Sequence, residues 1–215
     1  AALLAAKPIK AIAGFTNSSG IFSNHHLVVL HAPVGENPMT PRTYNFIEKI
    51  RKGAVSSIVL STGSTTDYTS NFSDKVEKGY EIIQKGAIKT GIIHIFPEDG
   101  DGAIKMNTVA RMLKQEMHCN LVVCVSRLGH NIKSGMDNLK LAALSEHVDL
   151  IIGNNIGIPS QKTFVLGNNL KHEVMLQYPG NGDDLACGKI EFSYDEDGTK
   201  RHIHLGSRLY HERIA

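Results

Sequence analysis

Residues 80–96, YEIIQKGAIKTGIIHIF, carry the pattern that decides the fold. Two runs rich in β-branched residues flank Lys85-Gly86, which reads as a hairpin turn, and the second run, Thr90 to Phe96, is nearly continuous in apolar side chains. A strand wetted on one face alternates apolar and polar residues, whereas an unbroken apolar run needs cover on both faces. LVVCVS at 121–126 and VDLII at 148–152 repeat that signature. The stretches between them have helical spacing. A loop, PEDGDG at 97–102, precedes a helix predicted over 107–118, with Val109, Met112, Leu113 and Met117 on one side, and a second helix is predicted over 136–147. Strands alternating with helices predict an α/β fold.

Upstream, LVVL at 27–30 predicts a strand, and TYNFIEKIRKG at 43–53 a helix with Tyr44, Ile47 and Ile50 on one side. SIVLS at 57–61 then predicts a second strand that stops at Thr62-Gly63-Ser64-Thr65, which makes the opening a βαβ unit. Downstream, KTFVLG, HEVMLQYPG, GKIEFSYDEDG and KRHIHLG read as short antiparallel strands, with Asp197-Gly198 as a two-residue turn. No internal repeat or low-complexity linker interrupts the chain. The expected architecture is two packed sheets between helices.

With 215 residues, 41% of them hydrophobic and 20% charged, the chain is expected to form one domain, assigned to residues 25–215. The net charge of +2, without a basic stripe interleaved with aromatics, points to no nucleic-acid or anionic-membrane partner. Three cysteines, Cys119, Cys124 and Cys187, form no CxxC pair, which argues against a disulfide framework and a cysteine-based zinc module. Cys124, inside LVVCV, reads as a buried thiol rather than a nucleophile. Residues 1–24 read as an export-signal remnant and linker. AALLAAKPIKAIAG is Ala/Leu-rich and ends in the small-x-small form Ala11-Ile12-Ala13, while its basic n-region is missing, as if the numbering began inside a precursor. The alternative is a short Ala/Leu helix. No stretch reaches the roughly twenty apolar residues of a membrane span. The expected location is the periplasm or cell surface.

Over roughly residues 27–200 the order of segments resembles the N-terminal metallophosphoesterase (calcineurin-like) domain of bacterial 5'-nucleotidases. LVVLHAPVGEN is similar to that family's first strand and Asp-x-His loop, and SIVLSTGS to its second strand ending in Gly-Asp. YEIIQKGAIKTGIIHI resembles the hairpin before its central strand. LVVCVSRLGH is similar to the strand ending in Ser-His-Leu-Gly, HVDLIIGNN to the one ending in Gly-Gly-His-x-His, and residues 164–198 to the closing sheet. The resemblance implies a calcineurin-like metallophosphoesterase fold: two packed mixed β-sheets flanked by helices, a four-layer αββα sandwich.

The same resemblance implies a dinuclear metal centre that this chain does not carry. In that family two ions held by Asp, His and Asn turn water into a nucleophile on phosphorus. Here the first motif's Asp falls on Val34 and its His on Glu36, and the bridging Asp falls on Ser64. The Gly-Asn-His-Glu segment has no counterpart between Ser64 and Tyr80. The later His positions fall on Arg127, Asn155 and Gly157. The implied protein is a non-catalytic relative, with no catalytic residue, metal or cofactor and with a ligand or protein partner at a vestigial site mouth. Arg127 places a fixed positive charge there. It would grip an anion bidentately or pair with a carboxylate such as Glu36. Two alternatives remain. One is an active phosphoesterase whose Mn or Zn is held by rearranged ligands such as Glu36, Asp67, His94, His130 and Asn155. The other is a partner subunit of an intact paralogue, in a homo- or hetero-oligomer.

Other constellations are weaker. Asp99 and Asp101 fail the calcium-loop spacing at Ala103 and read as a solvated turn. His202 and His204 alternate along a strand and so share a face, which suits a metal, yet no third ligand is near them in sequence. His25-His26, in the presumed leader or linker, reads as exposed and inert. Ser64 lacks a nucleophile-elbow context, and neither a Walker loop nor Gly-x-Gly-x-x-Gly follows a strand.

Overall fold

A computed structural model describes residues 25–32, 45, 48, 57–61, 79–85, 88–154, 162–178, 185–194 and 200–210. For 25–32, 57–61, 185–194 and 200–210 it is the backbone and its pairing that are described. In chain order the elements are β1 (His25–Ala32), β2 (Ser57–Ser61), β3 (Tyr80–Lys85), β4 (Ile88–Ile95), α1 (Gly102–Gln115) and β5 (Leu121–Ser126). They continue with α2 (Asn138–Leu144), β6 (Leu150–Gly153), β7 (Lys162–Gly167), β8 (Glu173–Tyr178), β9 (Leu185–Tyr194) and β10 (Lys200–Tyr210). Of the helix predicted over 43–53, Asn45 and Glu48 are described, and both are helical.

The fold is mixed α/β. A six-stranded sheet runs β3-β4-β5-β6-β8-β7, in which β4, β5, β6 and β8 are parallel and β3 and β7 are antiparallel edges. Parallel neighbours need crossovers, and α1 and α2 supply those from β4 to β5 and from β5 to β6. Because the chain steps across the sheet in one direction, right-handed crossovers put both helices on one face. The core agrees. Met106, Ala110 and Leu113 of α1 and Leu141 and Ala142 of α2 pack in one cluster with Ile93, Val122, Cys124, Ile151 and Leu176. The opposite face, with Ile92, Leu121, Val123, Leu150 and Ile152, is equally buried and forms its own cluster. Double burial is why these strands read as continuous apolar runs.

Several boundaries differ from expectation. Lys85 still pairs with Ile88, so β3 runs through the residue expected to open the turn, and residues 86–87 lie outside the described residues. Helix α1 starts five residues before the predicted Asn107, because the Asp101 carboxylate accepts the Ile104 N–H at 3.2 Å and caps it. It ends at Gln115. His118, at φ 54°, turns the chain in the left-handed region, and the Cys119 N–H closes on the Leu113 carbonyl at 2.8 Å. Helix α2 is shorter than predicted, since Asp137 caps it through the Lys140 N–H at 2.9 Å and Ser145 is already extended.

The four tail strands pair antiparallel in sequence order as expected, β7 with β8 and β9 with β10, but they divide between two sheets. β7 and β8 form an antiparallel pair, but β8 also joins β6 in parallel and extends the first sheet. β9 and β10, ten and eleven residues long, pair antiparallel in a second, four-stranded sheet of order β10-β9-β1-β2, where β1 and β2 are parallel as the βαβ reading requires. The turn at Asp197-Gly198 lies outside the described residues. His25 and His26 are the first residues of β1, paired with Phe192 and Glu191, and not part of a leader: the ladder to β9 extends two residues past the apolar run that marked the strand.

Candidate functional site

The parallel strands β4, β5, β6 and β8 present their carboxyl ends at one edge, where ligands of such sheets bind, since the loops there diverge and carry the sequence-variable side chains. Of the residues expected at the site mouth, Arg127 stands at this edge, one residue past β5. Val34, Glu36, Ser64, Asn155 and Gly157, and with them Asp67, lie outside the described residues. His94 and His130, the two described members of the rearranged ligand set, belong to different clusters at the edge.

The first cluster follows β4. The Arg127 backbone N–H donates to the Ile95 carbonyl at 2.9 Å, which fixes the chain as it leaves β5, and its guanidinium lies over the Phe96 ring, 5.0 Å from the centroid. Lys105 lies 5.9 Å from the same centroid and is held by the Asp99 carboxylate at 2.6 Å. Asp99 also accepts the Phe96 N–H at 2.7 Å. The β4–α1 connection is the exposed turn expected there, and within it Asp99 and Asp101 are fixed by these hydrogen bonds. His94 shares a register row with Val125, Ile152 and Gln177. Burial, then the charges of Arg127 and Lys105, push its pKa from 6.5 down to about 4, so the imidazole is neutral at pH 7.

The second cluster follows β8. His130 Nδ1 lies 2.9 Å from the Tyr178 hydroxyl, and its ring stacks on Phe164 with centroids 5.5 Å apart. Tyr178 is fully buried, and desolvation pushes its pKa up, so the phenol keeps its proton. Asn138 hydrogen-bonds to the phenol, and its Nδ2 donates to the Leu128 carbonyl at 2.6 Å. A buried hydroxyl must donate. Its acceptor is His130 Nδ1, which leaves the proton of a neutral His130 on Nε2. The loop holding the imidazole is itself pinned, because Lys140 Nζ donates to the carbonyls of Ile132 at 3.2 Å and Gly135 at 2.7 Å. Tyr178→Phe removes the donor, at an expected cost of about 1 kcal/mol. Long-range ¹H–¹⁵N spectra should show the Nε2–H tautomer of His130 in the wild type and a mixture in the variant; an unchanged tautomer would refute the assignment.

Gly153 makes this cluster fit. A Cβ there would stand 2.4 Å from Tyr178 Cε1 and 2.8 Å from Asn138 Nδ2, both on fully buried side chains. Gly153→Ala is expected to destabilise by about 2 kcal/mol through overpacking, lowering the urea midpoint without changing the slope. An unchanged midpoint would mean that Tyr178 yields at little cost.

Cys124 is fully buried in the helix-side core, and desolvation raises its thiol pKa far above the ordinary value, which suits a packing role and not nucleophilic chemistry. Among the residues whose side chains are described, no three His, Cys, Asp or Glu gather closely enough to hold a metal, and no helix is long and apolar enough to cross a membrane. The Arg127 guanidinium disfavours a dication beside it, so the described residues at this edge do not fit the dinuclear centre that the resemblance implies. Comparison with protein-family models, with curated proteins and with solved structures returns no match to this chain.

Proposed function

We propose that this chain is an exported, metallophosphoesterase-like protein that binds an anionic group at the carboxyl edge of its parallel sheet and does not hydrolyse it. Arg127 carries the reading. It stands directly after the central strand β5, where the resembling family places a metal-binding histidine, and its guanidinium cannot shed its charge. A fixed cation at a strand-end loop grips phosphate or carboxylate through paired N–H donors. Lys105, near the same Phe96 ring, is ion-paired with Asp99, so the guanidinium of Arg127 carries the attraction. The sandwich part of the reading is supported by a sheet that carries both described helices on one face while its other face is just as buried.

Turnover tests the reading. The purified chain, incubated with p-nitrophenyl phosphate and Mn²⁺ or Zn²⁺, is expected to release no nitrophenol above the protein-free rate. Metal-dependent release that disappears on chelation would establish the active alternative with rearranged ligands.

A further inference from the structure

Lys162 opens β7, and its register partner in the antiparallel β7–β8 ladder is Tyr178, the last residue of β8. Residues directly opposite in such a ladder share a face and stand roughly 4.5–5.5 Å apart at Cβ. Phe164, two residues on, lies on that face as well, and its ring is the one stacked on His130. Pairing of β7 with β8 therefore sets Lys162, Phe164 and Tyr178 on the side of one imidazole, which comes from the separate loop between β5 and α2.

Three sides of that imidazole are committed. Its Nδ1 takes the Tyr178 proton, one ring face lies on Phe164, and the Tyr178 ring meets it edge-on. The Nε2–H has no hydrogen-bond partner among the described residues, and the ring is only half-buried. Lys162 is exposed and has no acidic partner among the described residues. Burial lowers the pKa of His130, the Asp137 carboxylate opposes that, and the Lys162 charge adds to it. Asp137 itself is committed within its own loop, where it accepts the Lys140 N–H at 2.9 Å and pairs with Lys140 Nζ at 3.2 Å. An N–H donor held in one tautomer beside an ammonium suits an oxyanion: the ammonium supplies the charge and the imidazole the direction. Because packing fixes the donor before a ligand arrives, little ordering is left for binding to oppose.

This corner is not that of Arg127. Tyr178 and Phe164 belong to the cluster on the helix-bearing face, whereas His94, which feels the Arg127 charge, shares its row with Val125 and Ile152 of the opposite face.

We propose that His130 Nε2–H and Lys162 Nζ form a second oxyanion site, for a carboxylate or phosphate group, on the helix-bearing side of the carboxyl edge. It stands whether or not Arg127 binds an anion. The probe is inorganic phosphate, with acetate as a second arm, titrated at pH 7 into the full chain labelled with ¹⁵N-histidine and followed by long-range ¹H–¹⁵N spectra. A saturable displacement of the His130 Nε2 resonance is expected, and the anion that saturates it at lower concentration identifies the group. Lys162→Ala, a change at an exposed side chain, should raise the half-saturating concentration roughly tenfold or more, and Lys162→Arg, which keeps the charge, should largely restore it. In Arg127→Ala the displacement should persist, so a failure of the Arg127 site leaves this titration in place. No displacement with either anion, the same displacement with NaCl at equal ionic strength, a displacement undiminished in Lys162→Ala, or one lost with Arg127 would overturn the proposal.

Discussion

Acidification from pH 6.5 to 4 is expected to remove about 3 kcal/mol of stability through His94 alone, because its pKa falls from 6.5 in the unfolded chain to about 4 in the fold. The sign follows from proton counting. Between those values the unfolded chain holds a proton that the folded chain refuses, so stability rises with pH through the window and is fully present above 6.5. The cause is local: burial withholds water from an imidazolium, and the Arg127 and Lys105 charges repel it. Acid also protonates carboxylates, so the diagnostic quantity is the difference between the wild type and His94→Gln. Urea midpoints of the two should converge towards pH 4 and separate above it. Parallel curves would mean that His94 titrates normally. Arg127→Ala should reproduce part of the flattening, since it removes the second cause.

A second large loss is expected for Asp149→Ala, about 3 kcal/mol. The Asp149 carboxylate accepts Lys114 Nζ at 2.6 Å and the Val122 N–H at 2.7 Å, with the two charged side chains 13% and 18% exposed. Through it the last turn of α1 is tied to the starts of β5 and β6, at the edge opposite the strand-end site. Its removal takes the counter-charge from a poorly hydrated ammonium, which keeps the Asn120 carbonyl at 3.0 Å, and strands a backbone donor. Asp149→Asn, which keeps an acceptor for the Val122 N–H, should lose less. Equal losses for Ala and Asn would assign the whole effect to the ion pair, and no loss for either would show that water replaces the carboxylate.

The strands of the six-stranded sheet were legible because burial on both faces leaves an unbroken apolar run, as in LVVCVS, where all six residues are buried. Helix starts were not, since Asp101 and Asp137 act as caps through one hydrogen bond each, and such a residue is indistinguishable in sequence from a loop aspartate until its N–H partner is known. Strand order also escaped local patterns. β8 reads like the other tail strands, yet it sits beside β6 while β9 crosses to the second sheet, and pairing between distant segments leaves no local mark. For the same reason Tyr178 was missed: its partner His130 is 48 residues away. His202 and His204 are legible as a pair on one face, but the positions opposite them, Ser193 and Glu191 of β9, become neighbours through the register alone.

What Arg127 does is the central question, and calorimetric titration of inorganic phosphate into the wild type and Arg127→Ala answers it most directly. A guanidinium bound to an oxyanion through charge-assisted hydrogen bonds is worth roughly 1.5–3 kcal/mol, so the variant should bind at least about tenfold more weakly while unfolding at a similar urea concentration. Equal affinities in the two proteins, or no heat of binding in the wild type, would contradict an anion site built on Arg127.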